Sequence, residues 1–297
     1  MRFKPKVLVL RNPRNAQKGA KPVIEEWFHP DQQMNLRNPV LFVHGVEYAN
    51  TSEILADFIL PFARPFEKGA SLSGNLERDY VFLAWDSRLF CDETRRTMLL
   101  SPLKKISTFI RKAPNWPIYL EDAERRARLA AEFLAPFYHR LFPDSLEESM
   151  PKHHPLVISH SLGSYLWATT LKGLLLKNPQ IRFGTWWNMQ GAVLRSSFSP
   201  GGEFAMVADA FASKNGSRHY VWYSRFDFVL ATLYSVAKKS LAVGQVGGTH
   251  PSMSLIDVSH KSLEAHGRSR ILSDQRCFFS RISDVLQLES ERLLVRL

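Results

Sequence analysis

The chain has 297 residues, 45% of them hydrophobic and 23% charged, enough apolar material for a core that needs no disulfide or metal staple and too much for an intrinsically disordered chain. Its longest apolar runs, such as Val7 to Leu10, Pro39 to Val43 and Leu174 to Leu176, fall far short of the ~20 residues that span a bilayer. The formal net charge is +11, but the excess is scattered through Arg125, Arg126, Lys238, Lys239, Arg268 and Arg270, so nucleic acid is not an expected partner, while an anionic membrane surface or a negatively charged substrate stays open. The two cysteines, Cys91 and Cys277, have neither CxxC nor Cys/His spacing, which suits a reducing cytoplasm and two plain buried thiols. The N-terminal apolar stretch is four residues long and meets Arg11, Pro13 and Arg14, which is not a signal-peptide core.

In chain order, short apolar runs alternate with helical patterns, and that alternation predicts an α/β sheet. Strands are expected at Lys6 to Leu10, Pro39 to Val43 and Tyr80 to Trp85, with a helix over Thr51 to Phe66 between the second and third. The segment from Phe90 to Pro117 has no clear strand pattern and is expected to be an inserted loop-and-helix region that could cap a site. Glu121 to Leu141 is the clearest helix, with Ala123, Ala127, Ala130, Ala131, Leu134 and Phe137 on one side and Pro136 expected to bend or end it. A buried strand at Pro155 to Ser159 runs directly into a helix over Leu162 to Leu176. Further strands are expected at Trp187 to Leu194, His219 to Tyr223 and Ser254 to Val258, and a last amphipathic helix near Cys277 to Leu286. A single domain over residues 1–297 accommodates all of these elements.

The junction at Ser159-His160-Ser161-Leu162-Gly163 carries most of the chemistry. It has the pattern small-x-Ser-x-Gly between strand and helix, which lets the chain turn sharply and lift the Ser161 hydroxyl above the sheet. The bland alternative is that Ser161 caps the following helix. A serine hydroxyl is protonated at neutral pH, so a nucleophilic serine needs an imidazole to accept its proton and an acid to orient that imidazole. The order expected after such a junction is serine, acid, histidine. Asp227, just beyond the strand ending at Tyr223, is the best acid; Asp209 lies in a helical pattern and Asp257 inside a strand pattern. For the base, His266 and His260 compete in the segment after the last strand, with His266 ahead because Gly267 follows it in a loop. His160 and His250 fit less well. Gly45 in Val43-His44-Gly45-Val46 would let a backbone approach a reacting carbonyl, and the amides of Val46 and Leu162 could stabilise the oxyanion. His44 need do no proton chemistry and would shape that loop from below.

Together, Phe42-Val43-His44-Gly45, Ala84-Trp85-Asp86-Ser87, Tyr119 with Asp122, Ser159-His160-Ser161-Leu162-Gly163, and Tyr223-Ser224-Arg225-Phe226-Asp227 followed by His266 resemble the α/β-hydrolase superfamily. The resemblance runs from about residue 39 to 286 and is closer to a bacterial esterase/lipase-like family whose members largely lack an assigned substrate. It implies an α/β-hydrolase fold with a central, mostly parallel sheet flanked by helices, Ser161, Asp227 and His266 as a triad, and no metal or organic cofactor. Two features depart from the family pattern: Ser159 stands where Gly is usual, and the stretch from Phe90 to Pro117 is longer than the usual connection. The expected activity is hydrolysis of a small-molecule or lipid carboxylic ester in the cytoplasm. The alternatives are a lipase or phospholipase at an anionic membrane surface and a catalytically silent fold used for binding.

Overall fold

The computed structural model describes residues 6–11, 23–27, 39–45, 79–85, 87, 115–142, 155–213 and 218–259. The eight strands are β1 (Lys6–Arg11), β2 (Val23–Trp27), β3 (Val40–Val43), β4 (Tyr80–Trp85), β5 (Leu156–His160), β6 (Thr185–Met189), β7 (Arg218–Tyr223) and β8 (Met253–Asp257). They form one sheet in the order β2-β1-β4-β3-β5-β6-β7-β8. Every neighbouring pair is parallel except β1 with β2, which is antiparallel. The α/β expectation therefore holds, with seven parallel strands and one reversed strand at an edge.

β2 has no counterpart in the sequence expectation. Its stretch, Val23-Ile24-Glu25-Glu26-Trp27, lacks both a continuous apolar run and strict alternation, and two adjacent glutamates suit an edge strand that resists further pairing. The central strands read clearly because they are apolar on both faces: all residues of β3, β4 and β6 are buried, as expected for parallel strands covered on both sides. β6 begins two residues earlier than expected and stops at Met189 rather than Leu194, because Gln190 takes a positive φ of 47° and turns the chain out of the sheet.

The helices are α1 (Trp116–Leu141), α2 (Leu162–Lys177), α3 (Ala205–Ser213), α4 (Ser235–Lys238) and α5 (Val243–Val246), with a 3₁₀ turn at Arg195–Phe198 and a π-helical segment at Val229–Tyr234 leading into α4. α1 starts five residues before the expected helix because Pro117 sits in its first turn, where a missing N–H costs nothing. It also runs through Pro136 to Leu141 without ending there. Ala123, Ala127, Ala130 and Leu134 pack with Leu166, Ala168 and Leu171 of α2 in a core that continues into Leu41, Val43, Leu83, Val157 and Val221 of the sheet. Small residues on α1 let the helix lie close, and the core holds both helices against one sheet face. Two polar ties reinforce this packing. Lys238 donates to the buried Glu124 carboxylate at 2.5 Å, and Arg128 donates to the Tyr165 hydroxyl at 2.8 Å. Burial pushes the Glu124 carboxyl up from its ordinary range, against the pull of Lys238.

His219 on β7 is fully buried with its ring stacked on Trp186 at 4.1 Å between centroids and flanked by Phe198 and Phe211. Neither ring nitrogen has a hydrogen-bond partner, and burial pushes the imidazole down to about 3. A neutral histidine of this kind takes up a proton on unfolding below about pH 6.5. Its contribution to stability is complete above that pH and is lost as pH falls toward the folded value, at ~1.4 kcal/mol per pH unit. His219→Phe removes two unsatisfied polar atoms and one proton uptake. Stability at pH 7 should stay within about 1 kcal/mol of wild type, since the ring is only slightly larger. Between about pH 6 and 4 its stability should fall less steeply, by ~1.4 kcal/mol per pH unit. Urea unfolding across a pH series checks this, and an unchanged slope would contradict it.

Candidate active site

Ser161, between β5 and α2, has φ 53° and ψ −126°. A side-chain-bearing residue in this region carries roughly 1–3 kcal/mol of backbone strain and persists only where its surroundings hold it. Here the surroundings do so through the backbone. The Ser161 N–H donates to Met189 O at 3.2 Å, and Ser161 O accepts from Ala192 N at 2.9 Å and from Ser164 N at 3.0 Å. The capping alternative fails on geometry, because the Ser161 side chain makes no capping hydrogen bond to α2. The residue is buried to 2% exposure.

Two glycines allow this turn to sit against β3. A Cβ on Gly163 would lie 2.4 Å from His44 O and 2.5 Å from Val43 O, so the first turn of α2 abuts the end of β3 as no other residue would permit. A Cβ on Gly45 would lie 2.7 Å from the Ser161 Cβ. The loop after β3 thus reaches the serine itself. Leu162, fully buried at the start of α2, is the next residue along; Val46 lies outside the described residues.

His44 is held as a fixed neutral group. Its Nδ1 lies 2.7 Å from Gly45 O, and its Nε2 lies 3.2 Å from the Trp85 N–H. The second contact requires Nε2 to accept, so the proton is on Nδ1 and donates to Gly45 O. The Trp85 indole N–H donates to His44 O at 3.0 Å, and the two rings stack at 5.7 Å. Burial pushes the His44 imidazole down to about 4. Its work is to pin the Gly45 peptide.

Ser159, the first small residue of the small-x-Ser-x-Gly turn, points to the α2 side of the sheet. Its Oγ accepts from the Trp186 indole N–H at 2.8 Å and lies 2.8 Å from Ser164 Oγ. The hydroxyl thereby satisfies a buried indole, and the small side chain still leaves room for the turn.

Asp227 is fully buried four residues past the end of β7. Its Oδ1 accepts from the Leu230 N–H at 3.0 Å and its Oδ2 from Gln190 Nε2 at 3.0 Å. A carboxylate has about four acceptor directions, so these bonds are compatible with a third from an imidazole N–H. The neighbours Phe226 and Phe228 are exposed. The π-helical segment that begins two residues later, at Val229, is a rare element frequent at functional sites. The rival acids lie elsewhere: Asp209 on α3 pairs with His250 at 3.2 Å, and Asp257 on β8 pairs with Arg225 at 3.7 Å. His266 and His260 lie outside the described residues, as do Asp86, both cysteines, the expected helices over 51–66 and 277–286, and residues 90–114 of the expected insertion.

Gly45, Ser161, Gln190 and Asp227 all follow the carboxyl ends of parallel strands, where open α/β sheets bind ligands. Gln190 escaped sequence reasoning. The only local signal was a Gln-Gly pair after a strand, a turn cue without chemistry. Among the described residues no three His, Cys, Asp or Glu side chains converge as a metal site, and no helix is long and apolar enough to cross a membrane.

No family model matches the sequence, and no curated protein sequence matches it. Among solved structures, the chain is similar to carboxyl esterase 2 from the mycorrhizal fungus Tuber melanosporum, with a TM-score of 0.38 and 12% sequence identity, covering 90% of this chain and 80% of that one.

Proposed function

We propose that the protein is a serine hydrolase of the α/β-hydrolase type that cleaves a carboxylic ester through an acyl-enzyme intermediate. The observation that carries this reading is the backbone of Ser161: a strained, positive-φ serine at a strand-to-helix turn, braced by β6 and met by Gly45 from β3. Strain at a buried serine with no capping role has a ready account if the hydroxyl must be presented to a reacting carbonyl.

In the first half-reaction Ser161 Oγ attacks the ester carbonyl carbon while the imidazole of His266 takes its proton. The tetrahedral oxyanion is stabilised by the amides of Val46 and Leu162, and it collapses as the imidazolium gives that proton to the departing alcohol. In the second, water loses a proton to the imidazole, attacks the acyl carbon, and the carboxylic acid leaves as Ser161 regains its proton. Asp227 orients the imidazole and stabilises its charged form in both.

A fluorescent fluorophosphonate tests the reading, because it reacts only with an activated serine. Labelling of the folded protein, mapped to the peptide that contains Ser161, is the expected result. An unlabelled folded protein, or a label on another serine, would replace this reading with a silent fold or a different nucleophile.

A further inference from the structure

We infer that Gln190 is a positioning residue of this site: its side-chain amide holds the Asp227 carboxylate in the orientation in which it can receive the imidazole N–H. The inference deepens the reading above and rests on it.

Gln190 is 6% exposed and is one of three non-glycine residues at positive φ among those described, with Ser161 and Lys239. Left-handed backbone disfavours a long side chain with no local hydrogen bond to offer, so ordinary turn chemistry does not explain a glutamine here. Its side chain does. Nε2 donates to Asp227 Oδ2 at 3.0 Å, while the Leu230 N–H fixes Oδ1. A carboxylate held at both oxygens cannot rotate about its Cβ–Cγ bond without breaking one of them.

The backbone around Gln190 joins this grip to the nucleophile. Gln190 N donates to Trp222 O at 2.8 Å, tying the turn to β7, and Gly244 N donates to Gly191 O at 3.0 Å. Met189, just before Gln190, and Ala192, two residues after it, each bond to the Ser161 backbone and brace it. One short turn after β6 therefore holds the nucleophile by its backbone and the acid by its side chain. A displacement of this turn would move both.

A double-mutant cycle separates positioning from simple structural support. Gln190→Met keeps length and volume and removes the side-chain amide, whose N–H is the group that grips Asp227. Its effect on fluorophosphonate labelling rate and on kcat for a short-chain p-nitrophenyl ester is compared in the wild-type and Asp227→Asn backgrounds. Hydrogen bonds to charged groups are worth factors of roughly ten to a hundred. The expected result is a loss of about that size in kcat with KM little changed, shrinking to less than about twofold when Asp227 is already Asn. Equal losses in both backgrounds, or none in either, would overturn the role. Wild-type labelling by Asp227→Asn would also overturn it, since Asp227 would then be a cap only, whereas failure of the wild type to label at Ser161 would overturn the hydrolase reading beneath it. Urea unfolding of each variant shows that the compared proteins are folded.

Discussion

Replacing Asp227 by Asn should lower ester hydrolysis by roughly 10³–10⁴-fold while leaving the protein folded. The two roles open to this residue predict different outcomes. As a cap, Asp227 accepts the Leu230 N–H through Oδ1, and the Asn carbonyl can do the same. The side-chain amide of Asn would then face Gln190, which can turn its own carbonyl toward it, so stability should change by no more than ~1 kcal/mol. As the acid of a triad, Asp227 must accept from an imidazole N–H and stabilise its positive charge. Asn can do neither well and favours the wrong tautomer. Turnover of a p-nitrophenyl ester, with urea unfolding in parallel, separates the two. A folded Asp227→Asn with activity within tenfold of wild type would leave Asp227 as a cap only.

Gly163→Ala should destabilise the protein by ~2–3 kcal/mol, against the direction that helix propensity predicts. In an exposed helix interior, Gly to Ala gains up to ~1 kcal/mol. At position 163 the new methyl would fall 2.4 and 2.5 Å from two backbone carbonyl oxygens at the end of β3, and neither atom can swing aside as a flexible side chain would. Overpacking therefore outweighs propensity, and the shift needed to relieve it would separate Gly45 from Ser161. Gly173 on the same helix is the control, since a Cβ there meets nothing within 4 Å. Gly173→Ala should raise stability by up to ~1 kcal/mol. Urea midpoints for the two variants should move in opposite directions, and a Gly163→Ala midpoint at or above wild type would contradict the packing argument.

What could be read from sequence was whatever depends on neighbours in the chain. β3, β4 and β5 announce themselves as apolar runs because parallel strands are buried on both faces. Ser161 stands out because a small-x-Ser-x-Gly turn is local, and Asp227 because it follows a strand end. β2 was hidden because an edge strand with adjacent glutamates carries no such pattern. The end of β6 was misjudged because the turn at Gln190 is imposed by bonds to β7 and to α5, partners distant in sequence. The π-helical segment was hidden for a different reason: its Ser235 N–H reaches back five residues to Leu230 O, a spacing that no residue pattern marks. The function of Ser159 was equally illegible, since its partner Trp186 lies on the adjacent strand.

The pairing of β3 with β5 has a kinetic side. Val40 lies opposite Leu156 across more than a hundred residues of intervening chain, and it is this pairing that brings Gly45 to Ser161. Closing so long a loop costs configurational entropy before any contact across the two strands rewards it. Helices such as α1 need no such closure, and they can form within microseconds from local bonds alone. The Ser161 turn is thus built on one of the least local contacts in the sheet, and the pairing of the central strands is expected to follow the local bonds of the helices. Until they pair, the apolar edges of β3 and β5 are open to other chains, so the protein's exposure to aggregation is set by the same strand order that assembles its site.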